Sequence, residues 1–318
     1  MKNIVAGVLL SVVIFVALVE IAVRAYTHFH IFYDVEMTRY ANELKMDADN
    51  ERIGHLHRPN ARAELMGVEI RTNSDGMRDD EYAKERNEKR RIIFLGDSLT
   101  LGWGVKKEET FEALLEKKLS AEKPTEIINF GHGNYNTDQE VSLFVEKGLA
   151  YKPDQVVLFY FINDAEPTPR KSAWAFLGRS RFVTLFWSRL KAINARWSGK
   201  TSFKNYYADL YSESAPGWRA TQKALQRLKA VCDERKIKLQ AVLLPELHSP
   251  VDYPFVAEHK KVAGVLAKLG IPFLDLVPKF AGVANPQTLW VARDDAHPNG
   301  GAHRMIAEFT RGFIAGDD

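Results

Sequence analysis

Short runs of apolar residues recur through the second part of the chain, and stretches with helical spacing of apolar residues separate them. The strand-like runs are Ile92–Leu95, Ile127–Phe130, Val156–Phe161, Leu239–Leu244 and Pro272–Leu276. The helix-like stretches cover about 108–121, 137–150, 217–235, 255–269 and 299–314. Because strands that are apolar on both faces need cover on both sides, this alternation is typical of a parallel sheet between helices. The pattern predicts a three-layer α/β/α sandwich with a five-stranded parallel sheet.

Polar residues suited to catalysis follow several of these runs. Gly96-Asp97-Ser98 comes after the first run, Gly131 to Thr137 after the second and Asn163-Asp164 after the third, and Asp294-x-x-His297 precedes the last helix. In a parallel sheet these positions share the edge outside the carboxyl ends of the strands. Together they supply a nucleophile, oxyanion donors, a base and an acid that orients the base. Taken alone, Ser98 also fits a helix N-cap and His297 a surface histidine; the ordered combination favours catalysis.

Four motifs occur in this order: Gly96-Asp97-Ser98-Leu99, Gly131-x-Gly133-Asn134, Asn163-Asp164 and Asp294-x-x-His297. This ordered set resembles the SGNH, or GDSL, hydrolase superfamily over about residues 90–315. The resemblance implies a flavodoxin-like fold and an ester hydrolase that needs no metal or organic cofactor. It implies Ser98 as the nucleophile, His297 as general base and then general acid, and Asp294 as the carboxylate that orients His297. Asp295 is the neighbouring alternative, and Asp294 is preferred because Asp-x-x-His is the family spacing.

The resemblance also implies an oxyanion hole. Its donors would be the backbone N–H of Ser98, a backbone N–H in the second motif and the side-chain amide of Asn163. Many family members have Gly-x-x-Gly in the second motif, whereas here Asn134 stands at the second glycine and Gly133 comes one place early. Asn tolerates left-handed backbone angles better than most residues, so the donor is either Gly133 or Asn134. His132 and His248 lie near the same edge and are interpreted as local or surface histidines.

The N-terminus carries a long apolar segment. Ile4 to Val23 covers 20 residues interrupted only by Glu20, which is long enough to cross a bilayer as a helix. A cleaved signal peptide is the alternative, because Lys2 gives a basic start and Ala25 is small. The length favours an uncleaved anchor over 1–25, with a lead-in segment over 26–88 and the hydrolase domain over 89–318. We expect that domain on the periplasmic or extracellular side of the membrane.

Within the lead-in segment, residues 60–80 alternate enough for a hairpin-like element, with a turn signal at Asn73–Gly76. The stretch Thr72–Asp79 resembles the lead-in of membrane-anchored members that are associated with bacterial extracellular polysaccharide systems. This looser resemblance implies an acylated polysaccharide as substrate.

A long insertion, about 165–215, separates the third strand from the helix near 217, and it far exceeds the usual loop length. Between Thr168 and Lys204 it holds nine basic residues and no Asp or Glu, and its apolar residues recur every three or four positions. This pattern predicts a basic amphipathic helix. Such a helix fits a cap packed on the domain, or a surface that contacts anionic lipid or an acidic polymer.

Net charge and the spacing of Cys and His residues bear on which partners and metals the protein could bind. The formal net charge of +3 gives no support for a nucleic-acid partner, and no Cys/His cluster has the spacing of a zinc site. We therefore expect a membrane-anchored serine esterase that removes acyl groups, O-acetyl first, from a cell-envelope or extracellular polysaccharide. The alternatives are a lipid esterase or thioesterase, an O-acyltransferase that uses the same site, and a non-enzymatic carbohydrate-binding factor.

Overall fold

The structure is a computed structural model, and it describes residues 2–169, 178–197 and 203–316. Its strands, in chain order, are β1 Lys45–Asp47, β2 His55–His57, β3 Arg62–Leu65, β4 Val68–Arg71, β5 Arg90–Leu95, β6 Thr125–Asn129, β7 Gln155–Tyr160, β8 Lys238–Leu243, β9 Phe273–Asp275, β10 Trp290–Ala292 and β11 Asp295–Pro298. Its α-helices are α1 Lys2–Phe29, α2 Tyr33–Glu43, α3 Ser98–Leu101, α4 Phe111–Ser120, α5 Thr137–Glu146, α6 Arg181–Trp197, α7 Phe203–Leu210, α8 Pro216–Arg235, α9 Val256–Lys268, α10 Val277–Phe280 and α11 Gly300–Ala315. Two parts of the basic stretch, 170–177 and 198–202, lie outside the described residues.

The central sheet has five strands, all parallel, in the order β6-β5-β7-β8-β9. Successive residues of a strand point to opposite faces, so β5 contributes to two cores. Ile93 and Leu95 pack with residues of α5, α8 and α9, whereas Ile92 and Phe94 pack with residues of α4 and α11. The predicted three-layer α/β fold is confirmed. Because helices cover both faces, the loops after the strands are left to carry the polar motifs.

The lead-in segment forms α2 and two antiparallel hairpins, β1–β2 and β3–β4. The β3–β4 hairpin lies within 60–80, as predicted, and it turns at Met66–Gly67, while the predicted turn at Asn73–Gly76 is a separate one in which the Gly76 N–H donates to the Asn73 carbonyl oxygen at 3.0 Å. Met66 and Gly67 have φ of 53° and 74°. Two consecutive left-handed residues suit the two-residue turn that matches the twist of paired strands, which explains the position of this turn.

The lead-in segment packs against the loop that follows Ser98. Tyr40, Leu65 and Ile70 share a buried core with Leu101 and Trp103. In addition, a buried guanidinium fixes the loop from inside, because Arg78 donates to the carbonyl oxygens of Leu101, Gly102 and Val105. The loop that follows Ser98 therefore rests on residues that precede the first strand of the sheet.

Helix α1 carries its apolar residues exposed. Among the described residues it is the one helix long and apolar enough to cross a membrane, with a mean hydropathy of 2.9 in its most apolar window and none of that window buried. The insertion contains α6, as its spacing predicted. The two helices meet where Glu20 of α1 accepts the backbone N–H groups of Arg181 and Phe182 at 3.0 Å each.

Candidate active site

Strand β5 runs directly into the turn that carries Ser98. A Cβ on Gly96 would lie 2.1 Å from Thr100 Oγ1, so this close approach requires glycine. Asp97 then caps helix α3, because its Oδ1 accepts the backbone N–H of Leu99 at 2.9 Å. The capping role that Ser98 could have filled belongs to Asp97. Ser98, the first residue of α3, keeps its hydroxyl for another partner.

That partner is His297. Ser98 Oγ lies 2.8 Å from His297 Nε2, and His297 Nδ1 lies 2.5 Å from Asp295 Oδ1. Because an ionised carboxylate only accepts, the Nδ1–H of His297 donates to Asp295, which leaves Nε2 to accept the Ser98 hydroxyl. In this arrangement a neutral imidazole can take the proton of a serine as the serine attacks a carbonyl carbon.

The carboxylate on His297 is that of Asp295, which corrects the choice of Asp294 made from the family spacing. Strand β11 begins at Asp295, and residues two apart on a strand point to the same side. Asp295 and His297 therefore face the same way. Asp294 precedes the strand, is exposed, and lies at the wall of the cleft over Ser98.

Two further donors hold Asp295 in place, and one of them is the backbone N–H of His297, which donates to its Oδ1 at 3.1 Å. The Asp295 side chain is only 2% exposed, and Trp103 Nε1–H donates to its Oδ2 at 3.0 Å. Burial alone would raise the pKa of Asp295, but the hydrogen bonds from His297 and Trp103 outweigh burial and hold that pKa below its usual range. Asp295 is therefore ionised at neutral pH and can stabilise an imidazolium at His297.

The second motif presents one free backbone N–H. The N–H of Gly133 donates to Tyr40 Oη at 2.9 Å, so Gly133 is occupied and does not fit the oxyanion role. Asn134 has a φ of 65° and lines the cleft, and its N–H has no acceptor within the described part of the chain. The left-handed angle explains why glycine is common at this place and why Asn can replace it. The geometry favours Asn134 over Gly133.

Asn163 lies on the 3₁₀ turn Ile162–Ala165 that follows β7, and its side chain lines the cleft. It hydrogen-bonds the carboxylate of Asp97, whose pKa is raised by burial. Because a side-chain amide carries two N–H donors, one remains for a substrate oxygen. Asp164 fixes the turn, since its Oδ2 accepts the backbone N–H of Phe161 at 3.1 Å.

A buried cluster from the lead-in segment supports the loop that carries Asn134. Tyr40 Oη accepts from Gly133 and therefore donates its own proton to His57 Nε2, 2.6 Å away. The ring of His57 stacks on that of His132, with centroids 4.0 Å apart. Burial lowers the pKa of His132 to about 3 and that of His57 well below its usual value. Both rings are therefore neutral at pH 7, and they act as packing and hydrogen-bonding groups.

Sequence reasoning missed Trp103 and three lead-in residues, Tyr33, Tyr40 and Lys45. Lys45 Nζ donates to Asn134 Oδ1 at 2.8 Å, and the ring centroid of Tyr33 lies 6.1 Å from that of His297. No motif or periodic spacing connects the lead-in segment to the later motifs. These contacts arise from the tertiary fold alone.

The cleft over Ser98 encloses about 330 Å³. Its walls combine aromatic rings with polar groups, among them Tyr33, Phe161, Phe203, Tyr207, Asn134, Asn163, His248 and Asp294. His248 follows β8, and its Nδ1 bonds the carboxylate of Glu246, which raises the pKa of His248. The sequence suggested a local or surface role for His248, whereas the structure places it in the same cleft as Ser98.

One protein-family model matches most of the chain. The chain matches the model of the GDSL-like lipase/acylhydrolase family over residues 94–305. No curated protein matches the chain.

Among solved structures, the chain is similar to the acetyl xylan esterase AlAXEase, with 18% identity, a TM-score of 0.45, and 70% of this chain and 99% of that chain covered. It is also similar to the lipase/acylhydrolase from Enterococcus faecalis, with 16% identity, a TM-score of 0.46, and 72% and 96% covered. A catalytic mutant of Axe2, an acetylxylan esterase from Geobacillus stearothermophilus, gives 17% identity, a TM-score of 0.45, and 72% and 95% covered. Since the family match covers more than half of the chain, this protein belongs to the GDSL-like lipase/acylhydrolase family and is an ester hydrolase.

Proposed function

We propose that this protein is a membrane-anchored serine esterase that removes small acyl groups, acetyl first, from a polysaccharide outside the cytoplasm. The observation that carries the proposal is the hydrogen-bonded chain from Ser98 through His297 to Asp295 at the floor of a cleft. Each member of that chain has the partner that its role requires, and Trp103 fixes the last of them.

The first half of the reaction forms an acyl-enzyme. Ser98 Oγ attacks the ester carbonyl carbon while His297 Nε2 takes the hydroxyl proton, and Asp295 stabilises the resulting imidazolium. The carbonyl oxygen becomes an oxyanion, and its donors are the backbone N–H groups of Ser98 and Asn134 and the amide of Asn163. Collapse of this intermediate breaks the bond to the sugar oxygen, which leaves with the proton from His297.

The second half regenerates the enzyme. A water molecule gives a proton to His297 Nε2 and attacks the acyl carbon, and the same three donors hold the second oxyanion. When the bond to Ser98 Oγ breaks, the imidazolium returns a proton to that oxygen, and the free acid leaves. Each proton taken is returned, so no further co-reactant is needed.

The cleft walls support a carbohydrate ester over a long-chain lipid ester. Aromatic rings such as Tyr33, Phe203 and Tyr207 offer flat apolar surface, while Asn134 and His248 offer hydrogen-bonding groups beside it. Sugars present both kinds of surface at once, whereas a long acyl chain needs a continuous apolar channel. An acetyl group also fits readily within a cleft of this volume.

The anchor is supported by two observations. The apolar residues of α1 are exposed over a length that matches a bilayer core. In addition, Glu20 and Arg24 of α1 bond to the segment that begins α6, which gives the end of α1 a structural role that a removed signal peptide would lack. Helix α2 starts soon after α1 and brings Tyr33 to the cleft, so the site would open close to the membrane.

The test is acetate release by the full-length protein in detergent, with acetylated xylan and a series of p-nitrophenyl esters of increasing chain length. We expect turnover of the polysaccharide and of the acetyl ester, a decline as the acyl chain lengthens, and loss of turnover in Ser98→Ala. Activity that rises with chain length would replace the polysaccharide proposal with a lipid esterase. Turnover that survives in folded Ser98→Ala would refute the mechanism.

A further inference from the structure

Helix α6 carries an exposed apolar stripe. Phe186, Trp187, Leu190 and Ile193 are each between 40% and 58% exposed. Phe186, Leu190 and Ile193 are spaced four and three residues apart, which places them on one side of the helix, and Trp187 borders them. Large apolar side chains grouped on one face mark a contact surface rather than an ordinary solvated helix.

The charged residues that flank this stripe are basic. Arg189 and Lys191 are exposed on either side of it, and α6 contains no Asp or Glu. Lys191 Nζ lies over the ring of Trp187, 6.0 Å from its centroid, so a basic group borders the stripe through a cation–π contact. An apolar stripe with Trp and flanking basic residues is typical of helices that lie in the headgroup region of a bilayer.

The start of α6 is bonded to the end of the apolar part of α1. The carboxylate of Glu20 accepts Ser180 Oγ at 2.8 Å as well as the backbone N–H groups of Arg181 and Phe182. Arg24 Nη2 donates to the carbonyl oxygen of Arg179 at 2.8 Å. These bonds satisfy the N-terminus of α6 and place it level with the point where the apolar run of α1 ends.

From this placement we propose that α6 lies in the interface of the bilayer that α1 crosses, with its apolar stripe among the upper acyl chains and Arg189 and Lys191 at anionic headgroups. The proposal rests on the anchoring role proposed for α1. Because the start of α6 is hydrogen-bonded to Glu20 and Arg24, where the apolar run of α1 ends, the stripe lies next to the segment proposed to cross the bilayer, which favours lipid over a second copy of the chain as its occupant. Helix α7, next along the chain, supplies Phe203 and Tyr207 to the cleft, so lipid contact at α6 would set how the cleft faces the membrane.

The experiment measures depth in the bilayer with the full-length protein reconstituted into phosphatidylcholine vesicles that contain phosphatidylglycerol. A Cys232→Ser background removes the buried native thiol, and a polarity-sensitive dye is attached at Leu190→Cys. Two matched exposed apolar sites serve as controls, Val13→Cys in α1 and Val256→Cys in α9. Lipids with a spin label near the top of the acyl chain then quench a dye in the interface, and lipids labelled near the end of the chain quench a dye at the bilayer centre, which is the depth expected for Val13 in the middle of the apolar run.

We expect the dye at Leu190 to lose about half of its fluorescence, because an interfacial helix sits roughly 5–10 Å into the headgroup boundary. The dye at Val13 should be quenched by the label near the chain end, and the dye at Val256 should be quenched by neither label. Quenching at Leu190 should fall when phosphatidylglycerol is omitted, and Arg189→Gln with Lys191→Gln should abolish that dependence.

Three outcomes would overturn the proposal, and they are distinguishable. If Val13 is quenched while Leu190 behaves like Val256, α1 is inserted but α6 lies away from lipid. If neither Val13 nor Leu190 is quenched, the anchor itself fails. A blue shift at Leu190 that disappears as the protein is diluted in lipid, without quenching, would assign the stripe to contact between copies of the chain.

Discussion

Substitution can test which carboxylate orients His297, because Asp295 is buried and its neighbour Asp294 is exposed. In Asp295→Asn the amide meets donors on both sides, Trp103 Nε1–H at one oxygen position and the backbone N–H and Nδ1–H of His297 at the other, and its single oxygen cannot accept from both sides. When the oxygen turns to Trp103, the NH₂ turns to His297. His297 Nδ1 must then accept, and the ring proton moves to Nε2. In that tautomer Nε2 faces Ser98 with a proton and cannot take another.

The expected loss in kcat is therefore large. A triad Asp→Asn change that enforces the wrong tautomer costs about 10⁴-fold, which corresponds to about 5 kcal/mol of transition-state free energy. The carboxylate of Asp295 is almost fully shielded from solvent, so water cannot replace it. Asp294→Asn is the matched control: its side chain is exposed and solvent screens its charge, so kcat should change by less than about fivefold.

The assay is steady-state hydrolysis of p-nitrophenyl acetate near pH 7.5, with circular dichroism to confirm the fold of each variant. The double variant Trp103→Phe with Asp295→Asn tests whether Trp103 sets the orientation of the amide. Without the indole donor the amide is free to turn its oxygen toward His297, so the double variant should be more active than Asp295→Asn alone. A large loss in Asp294→Asn with near-normal Asp295→Asn would refute the assignment, and a double variant below the single one would refute the tautomer mechanism.

Three further predictions concern Asn163, Tyr40 and Glu140, a buried residue of helix α5. Asn163→Ala removes an oxyanion donor and should lower kcat by about 10²–10³-fold with little change in KM for p-nitrophenyl acetate; an unchanged kcat would exclude the amide from the site. Tyr40→Phe removes two hydrogen bonds, the one that Tyr40 accepts from the Gly133 N–H and the one that it donates to His57, and their loss at about 1 kcal/mol each should lower kcat by about 10–30-fold at similar KM; a change confined to KM would contradict a role in positioning the loop. Burial raises the pKa of Glu140 in the folded protein well above its usual value, so the folded state holds this proton more tightly than the unfolded chain. The associated stability is fully present below the unfolded pKa and is lost as pH rises toward the folded pKa, so Glu140→Gln should raise Tm more at about pH 8 than at about pH 5. Equal shifts in Tm at both pH values would show that Glu140 does not titrate as its burial implies.

The strands and the position of Ser98 after the first of them could be predicted because their signals are local. Strand β5 is apolar on both faces, which requires a covered sheet, and the glycine after it marks the turn where Ser98 sits. His297 could be placed on the same edge because the carboxyl ends of parallel strands meet there. These predictions depend on short stretches of sequence and on a rule that holds for every parallel sheet.

The partners of these residues depend on backbone angles and on distant contacts, which the sequence does not display. Whether Asp294 or Asp295 meets His297 depends on where the chain becomes extended, since only then do residues two apart share a side. Whether Gly133 or Asn134 offers its N–H depends on Tyr40, which lies far away in the chain. Trp103 and Tyr40 belong to no motif. Their contacts arise from the core that the lead-in segment shares with the loop after Ser98.

The most direct test of the account is covalent labelling of the full-length protein with a fluorophosphonate, followed by mass spectrometry of the peptides. The account predicts one adduct per chain, on Ser98, that is absent in Ser98→Ala and forms far more slowly in His297→Ala. The Ser98→Ala protein should keep its fold and lose ester hydrolysis in step with the loss of labelling. A folded, hydrolytically active wild-type protein that is labelled on another residue, or that stays unlabelled, would contradict the assignment of Ser98 as nucleophile.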